Sequence, residues 1–104
     1  MLKQKEILDY LHRYNATKIP HGIQLVSLFG SYARNSQDQY SDVDITYKID
    51  HNTFYKDNAF KKLIALEEIK KELESTLHHK VDLIPANTRN KFLQESLMNE
   101  QIHL

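Results

Sequence analysis

The pattern of hydrophobic and polar residues predicts three amphipathic helices. Apolar side chains recur with helical spacing over residues 3–15, and this helix is expected to end before Pro20. The longest helical pattern covers residues 58–79, where Lys and Glu side chains form the solvated face. Its broad apolar face comprises Phe60, Leu63, Ile64, Leu66, Ile69, Leu73 and Leu77. A last helix is predicted over residues 88–101, with Phe92, Leu93, Leu97 and Met98 pointing inward.

Three shorter runs have the composition or the alternation of β-strands. Residues 23–29 are apolar and partly β-branched, and Gly30 ends this run. Residues 43–49 alternate apolar and polar side chains, and residues 81–84 form a strand that stops at Pro85. The order α-β-β-α-β-α predicts an α/β (α+β) fold, in which helices flank a small mixed sheet.

Length and charge limit the classes of function. The 104 residues contain no repeat and no linker, so a single domain over residues 1–104 is expected. Hydrophobic residues make up 40% and charged residues 27% of the chain, which is the mixture of an ordinary globular protein. Lys and Arg together number 14, as do Asp and Glu. A chain without surplus positive charge is not expected to bind nucleic acid directly.

Two further absences in the sequence narrow the chemistry and the compartment. The chain has no cysteine, which excludes disulfides, thiolate zinc sites and a cysteine nucleophile. It has no apolar run of the ~20 residues that a membrane span needs, and its first residues lack the apolar core of a secretory signal. We therefore expect a cytoplasmic protein without membrane contact.

The first candidate for chemistry is the turn after the first strand. Gly30 allows the backbone to approach a ligand closely, Ser31 offers a hydroxyl, and residues 32–34 can open a short helix whose N–H groups favour a phosphate. An ordinary turn with no ligand explains the same residues, since a strand followed by Gly-Ser is common.

The second candidate is a pair of acids at the start of the next strand. The period of a strand places Asp42 and Asp44 on one face, about 6.5 Å apart between Cα atoms. Two carboxylates this close repel unless a cation lies between them, and Mg²⁺ prefers such oxygen ligands. Two acids exposed on a strand edge are the alternative interpretation.

The third candidate, Asp82, lies between Val81 and Leu83 in a strand that should be buried. An unpaired buried carboxylate is costly, so this side chain either faces solvent through alternation or pairs with a positive charge. A metal ion held by Asp42 and Asp44 would supply that charge, and Asp82 would then be a third ligand or a general base.

Together these residues resemble the signature of the DNA polymerase β-type nucleotidyltransferase superfamily. Residues 28–34 (LFGSYAR) and 41–45 (SDVDI) are most similar to the minimal nucleotidyltransferases (MNT), the antitoxin partners of HEPN-domain ribonuclease toxins. The similarity spans nearly the whole chain. It implies the polymerase β-like fold.

The resemblance also implies a role for each residue. Gly30 and Ser31 would hold the β- and γ-phosphates of ATP, and Asp42 and Asp44 would bind one or two Mg²⁺ ions. Asp82 would complete the metal site and accept the proton of the attacking hydroxyl. In the family pattern G-S-x-A-R, Arg34 contacts phosphate or forms an ion pair that holds the polar loop.

The implied function is an antitoxin that transfers AMP to a tyrosine of a HEPN-type toxin, with which it forms a hetero-oligomer. This step rests on analogy with the family. Two alternatives stay open: an antitoxin that blocks the toxin by binding alone, and a nucleotidyltransferase that acts on a small molecule.

The histidines and aromatic residues suggest no second site. His12 is expected on a helix surface, and His78 and His79 at a helix C-terminus, where a cation interacts favourably with the dipole. Tyr10, Tyr14 and Phe60 are interpreted as core residues or as a surface for a partner, rather than as a platform for stacked bases.

Overall fold

Two helices and four strands follow one another along the chain. They are α1 (Gln4–Thr17), β1 (Ile23–Phe29), β2 (Val43–Ile49), α2 (Ala59–Leu77), β3 (Val81–Pro85) and β4 (Ile102–His103). The structure, a computed structural model, describes residues 2–17, 23–38, 40–49, 59–87, 91, 94–95 and 101–104. No helix within these residues is both long enough and apolar enough to cross a membrane.

The strands form one mixed sheet in the order β3-β2-β1-β4. β1 runs antiparallel to both β2 and β4, whereas β2 and β3 are parallel. Parallel neighbours need a long connection, which here contains α2. The predicted mixed sheet with flanking helices is confirmed.

The core lies between one face of the sheet and the two helices. Alternating residues of the strands supply one side of this core, and α1 and α2 supply the other. Its most deeply buried members are Ile7, Leu11, Ile23, Leu25, Leu28, Tyr32, Val43, Ile45, Leu73 and Val81. Tyr14 also belongs to the core, as expected, and His12 is exposed.

The prediction for α2 is wrong for the first turns of the helix. Phe60 is 72% exposed, Leu63 62% and Ile64 45%, although all three were expected on the buried face. The side chains that α2 buries are Ala65, Ile69, Leu73 and Leu77, which recur every four residues. The buried side chains, at four-residue spacing, form a narrower apolar face than the sequence predicted. The other side of the helix therefore carries Phe60, Leu63 and Ile64.

The structure describes only a few residues of the predicted C-terminal helix. The helix expected over residues 88–101 falls largely outside the described residues. Residues 102–103 form the edge strand β4, which the pattern did not predict because two residues are too few to show alternation. Leu104 N also donates a hydrogen bond to Val26 O, so the chain continues along β1.

Asn15 joins α1 to β1 through two hydrogen bonds. Its Nδ2 donates to Leu25 O at 2.7 Å, and Leu25 N donates to its Oδ1 at 3.1 Å. The register between β1 and β2 shifts directly after Leu25. Asn15 therefore satisfies both polar backbone groups of a buried residue at an irregular point of the strand.

Asn15→Ala is expected to lower the free energy of unfolding by about 1–3 kcal/mol, because both backbone groups of Leu25 lose their partner. Urea unfolding followed by circular dichroism measures this change. His12→Ala, an exposed position on the same helix, serves as the control and should shift stability by less than about 0.5 kcal/mol. Equal stability of the two variants would contradict the assigned role of Asn15.

Candidate active site

Three segments of the chain meet at one end of the sheet. β1 ends at Phe29 beside the start of β2, because these strands are antiparallel. β3 starts at the same end, since it runs parallel to β2. In the register, Asp44 lies between Phe29 on one side and Asp82 on the other. The topology thus brings the glycine turn and all three candidate acids together.

Gly30 is required at the turn that follows β1. Its φ angle of 75° lies in the left-handed region that side chains disfavour. A Cβ at this position would also overlap the Oδ2 atom of Asp44. Gly30 therefore lets the turn pack directly against the carboxylate.

The turn after Gly30 is held by its own backbone and by a side chain from α1. Arg34 N donates to Gly30 O at 3.1 Å, and Ser36 N donates to Ser31 O at 2.9 Å. Gln4 Nε2 donates to Tyr32 O at 2.9 Å and to Ala33 O at 3.0 Å. Gln4 was not predicted as part of the site, since nothing local connects it to a turn 28 residues away.

The ring of Tyr32 anchors the turn in the core. Tyr32 is fully buried and packs edge-on against the ring of His79, with 6.2 Å between ring centroids. His79 follows the end of α2, and its Nδ1 lies 3.0 Å from Leu77 O. The turn is therefore fixed between the two helices, and His79 has a packing role in this structure.

Asp44 has the most strongly perturbed carboxyl group of the site. Burial is the largest of the causes that raise the pKa of Asp44 from 3.8 to about 6, and the charges of Asp82 and Asp42 also contribute to this rise. Arg34 acts in the opposite direction and lowers this pKa. The carboxyl groups of Asp44 and Asp82 also lie within hydrogen-bond reach of each other, which contributes to the raised pKa of Asp44.

Asp42 lies just before β2, at the more open side of the site. Its carboxylate forms a 4.0 Å ion pair with Lys80 Nζ, and its side chain is 39% exposed. An ion pair this exposed stabilises the fold little. Lys80 was not predicted as part of the site. Its carbonyl accepts a hydrogen bond from Val43 N at 2.9 Å, which places Lys80 beside Asp42.

A carboxylate from α2 sets the start of β3. Glu74 Oε2 accepts a hydrogen bond from Val81 N at 3.1 Å, which places Asp82 one residue further along the strand. Glu74 was predicted only as part of the solvated face of the helix. No local pattern shows this contact, because it joins two elements through a single backbone group.

The structure decides between several of the alternatives for these acids. Asp44 is half-buried, so it is not one of two exposed acids on a strand edge. Asp82 is half-buried, and Asp44 is its neighbour in the register of the two parallel strands. The effect of Arg34 on Asp44 places its charge close to the acids. Ser31 is half-buried at the turn.

The donor set suits a hard divalent cation. Carboxylate oxygens are the preferred protein ligands of Mg²⁺, and a cation would reverse the repulsion that raises the pKa of Asp44. Among the described residues, however, no three Asp, Glu or His side chains are already arranged around a common point. An ion could be held by Asp42, Asp44 and Asp82 once their side chains rotate toward a common point.

Comparison with known proteins identifies the family to which the chain is similar. A family model described as polymerase beta, nucleotidyltransferase, matches residues 5–104. The putative protein adenylyltransferase MJ0435 of Methanocaldococcus jannaschii is 34% identical over 84 residues, which cover 81% of this chain and 82% of that protein.

Two solved structures share the fold. A crystal structure of a toxin–antitoxin with AMP-PNP aligns with a TM-score of 0.63 and 27% identity, over 98% of this chain and 72% of that one. The structure of a putative minimal nucleotidyltransferase aligns with a TM-score of 0.62 and 25% identity, over 97% and 88% of the two chains. The predicted resemblance and fold are confirmed.

Gly30→Ala is expected to destabilise the chain by about 2 kcal/mol or more, through the strained φ angle and the overlap with Asp44. In an Asp44→Ala background the overlap disappears, and the cost should fall to about 1 kcal/mol. Urea unfolding of the four proteins of this cycle measures the coupling. An equal cost in both backgrounds would show that Gly30 and Asp44 do not pack together.

Asp44→Asn is expected to stabilise the metal-free protein at about pH 7.5 by about 1 kcal/mol, after allowance for solvent screening. A raised pKa means that the folded protein loses stability as the pH rises from about 4 to about 6. Asn carries no charge and can still donate to Asp82, so the gain should vanish below about pH 4.

Urea unfolding in EDTA at both pH values tests this expectation. Asp9→Asn, which neutralises an exposed acid on α1, is the control and should show no comparable gain. If Asp44→Asn destabilised the protein at the higher pH, the carboxylate of Asp44 would not be repelled by those of Asp42 and Asp82.

Proposed function

Because the chain belongs to the polymerase β nucleotidyltransferase family, we propose that it uses Mg²⁺ to transfer AMP from ATP to a tyrosine hydroxyl of a HEPN-type toxin, and so neutralises it. The observation that carries this proposal is the shared hydrogen bond between Asp44 and Asp82 beside the Gly30 turn. A bound cation would offset the electrostatic repulsion between these two acids.

The three acids would have two roles, metal binding and proton transfer. Asp42 and Asp44 would hold Mg²⁺, with Asp82 as a third ligand, since the register brings all three to one end of the sheet. When bound, the metal would neutralise phosphate charge and lower the pKa of the acceptor hydroxyl. The fold of the chain sets the positions of the carboxylate oxygens.

The Gly30 turn would receive the triphosphate. Its backbone approaches Asp44 without an intervening side chain, so phosphate oxygens could reach the backbone and the acids together. Ser31 would donate its hydroxyl to the β- or γ-phosphate. Arg34, whose charge acts on Asp44, is close enough to the acids to balance phosphate charge as well.

The proposed reaction is an in-line displacement at the α-phosphorus of ATP. The acceptor oxygen forms a bond to this phosphorus, the bond between the α-phosphorus and the bridging oxygen breaks, and pyrophosphate leaves. The proton of the acceptor hydroxyl passes to a carboxylate oxygen of Asp82. The products are an AMP-modified acceptor and pyrophosphate.

The activity in the name of one relative and the type of complex in one structural neighbour support a protein as the acceptor of AMP. The archaeal relative is named as a protein adenylyltransferase, and one structural neighbour is a toxin–antitoxin structure that contains AMP-PNP. The HEPN type of the toxin and the tyrosine acceptor follow from the resemblance to the MNT antitoxins. The partner would thus be both the substrate and the target of neutralisation.

Coexpression with a HEPN-type toxin encoded beside this chain, followed by intact-mass analysis, tests the proposal. The toxin should gain the mass of one AMP or a multiple of it, at a tyrosine identified by peptide sequencing. Asp42→Asn with Asp44→Asn should lower transfer by about a thousandfold or more, because the cation and the nucleotide lose their ligands. Asp9→Asn should leave transfer unchanged.

Three outcomes contradict the proposal in different ways. Neutralisation of an unmodified toxin by the double variant would show that the protein acts by binding alone. Transfer of labelled AMP from ATP to an antibiotic, without labelled toxin, would indicate a small-molecule nucleotidyltransferase. Full activity in EDTA would exclude the metal.

A further inference from the structure

Lys80 places a positive charge on the same face of the sheet as the three acids. Val43 N donates a hydrogen bond to Lys80 O at 2.9 Å, so the pairing of β2 with β3 already begins at this residue. Because side chains alternate along a strand, Lys80 lies on the same face as Asp82, two residues further on. The 4.0 Å distance between Lys80 Nζ and Asp42 Oδ2 agrees with this placement.

Lys80 and Arg34 lie on opposite sides of the acids. Arg34 follows β1 and lowers the pKa of Asp44, whereas Lys80 precedes β3 and pairs with Asp42. In the order of the sheet, β2 lies between β1 and β3. One cation therefore flanks the acids of β2 from each neighbouring strand.

The ion pair of Lys80 with Asp42 is weak enough to be exchanged for another partner. Its 4.0 Å distance is long, and the lysine side chain is 64% exposed, so the pair contributes little to stability. A divalent cation bound by Asp42 would repel the ammonium group and compete with it for the carboxylate. The flexible stem of a lysine lets the ammonium move without any change of the backbone.

We infer that Lys80 is a phosphate-binding residue, whose ammonium group leaves Asp42 when a divalent cation binds there and contacts the α-phosphate of the nucleotide. This inference rests on the proposed function and adds a residue to that same site. In this role Lys80 would supply positive charge from the side of β3, as Arg34 does from the side of β1.

The order of the strands favours the α-phosphate over the other two phosphates. The Gly30 turn, proposed to hold the β- and γ-phosphates, follows β1, and Asp82, proposed to take the proton of the acceptor, lies on β3. In an in-line displacement the attacking and leaving oxygens lie on opposite sides of the phosphorus. The α-phosphate would thus lie between the turn and Asp82, on the side toward Lys80.

A contact with the α-phosphate and a purely structural role predict different responses to loss of the charge. An ammonium group that contacts a phosphate forms a charge-assisted hydrogen bond, so its removal weakens nucleotide binding. A lysine that only neutralises Asp42 in the metal-free protein would make no such contribution. Its removal would strengthen binding of the divalent cation and leave the affinity for the nucleotide no lower.

Lys80→Met tests the inference, with Lys71→Met as the matched control. Both variants remove one positive charge from an exposed lysine and keep an unbranched side chain, but Lys71 lies on α2. Calorimetry in excess Mg²⁺ gives the affinities for pyrophosphate and for α,β-methylene-ATP, an analogue that cannot transfer AMP. Electron paramagnetic resonance of Mn²⁺ gives the affinity for a divalent cation alone, and thermal unfolding verifies that each variant is folded.

Lys80→Met should bind the ATP analogue about tenfold or more weakly, because the α-phosphate loses a charge-assisted hydrogen bond. Its affinity for pyrophosphate should change by less than about threefold, because pyrophosphate leaves the α-phosphate position empty. Mn²⁺ alone should bind a few times more tightly, since the competing charge beside Asp42 is gone. Lys80→Arg should keep most of the affinity for the analogue, and Lys71→Met should match the wild-type protein.

Three results would overturn the inference. If Lys80→Met binds the analogue as tightly as the wild-type protein, Lys80 does not contact the nucleotide. An equal loss of affinity in Lys71→Met would show an effect of net charge alone. An equal loss of affinity for pyrophosphate would show that Lys80 acts on the other phosphates.

These measurements need no toxin, so they separate the inference from the proposed function. A wild-type protein that binds the analogue but labels no toxin contradicts the proposed function, and the comparison of Lys80→Met with Lys71→Met still decides the role of Lys80. A wild-type protein that does not bind the analogue in Mg²⁺ contradicts both.

Discussion

The contact between the carboxyl groups of Asp44 and Asp82 is the constraint around which the site is built. Parallel pairing of β2 and β3 sets these two residues side by side. The other face of the same strands buries Val43, Ile45 and Val81 completely. A slip of one residue would turn these apolar side chains away from the core, so hydrophobic burial maintains a register that brings like charges together.

Such an arrangement makes the metal-free site electrostatically unfavourable. The raised pKa of Asp44 expresses that cost, since burial and two neighbouring acids all oppose its ionisation. A fold selected only for stability would place a polar or apolar residue at one of these positions. Carboxylates in such conflict would bind a cation more strongly than carboxylates that do not repel each other. The cost to stability and the capacity for catalysis therefore have the same origin.

The helices contribute to the site as well as to the core. Gln4 of α1 holds two carbonyls of the turn after Gly30, and Glu74 of α2 holds the backbone at the start of β3. The first half of α2 adds an exposed apolar surface formed by Phe60, Leu63 and Ile64.

The order of the described helices and strands follows from local periodicity, because a buried face imposes its spacing on neighbouring residues. The residue types around Gly30, Asp42 and Asp44 likewise predicted phosphate and metal chemistry, since few other combinations suit both phosphate and a hard cation. Three features depended on contacts between distant segments: the carboxyl partner of Asp82, the support from Gln4, and the exposure of Phe60. Periodicity shows that a helix has apolar positions, but the packing of the sheet decides which of them are covered. Long-range packing therefore turned a set of suitable residues into a site with a defined geometry.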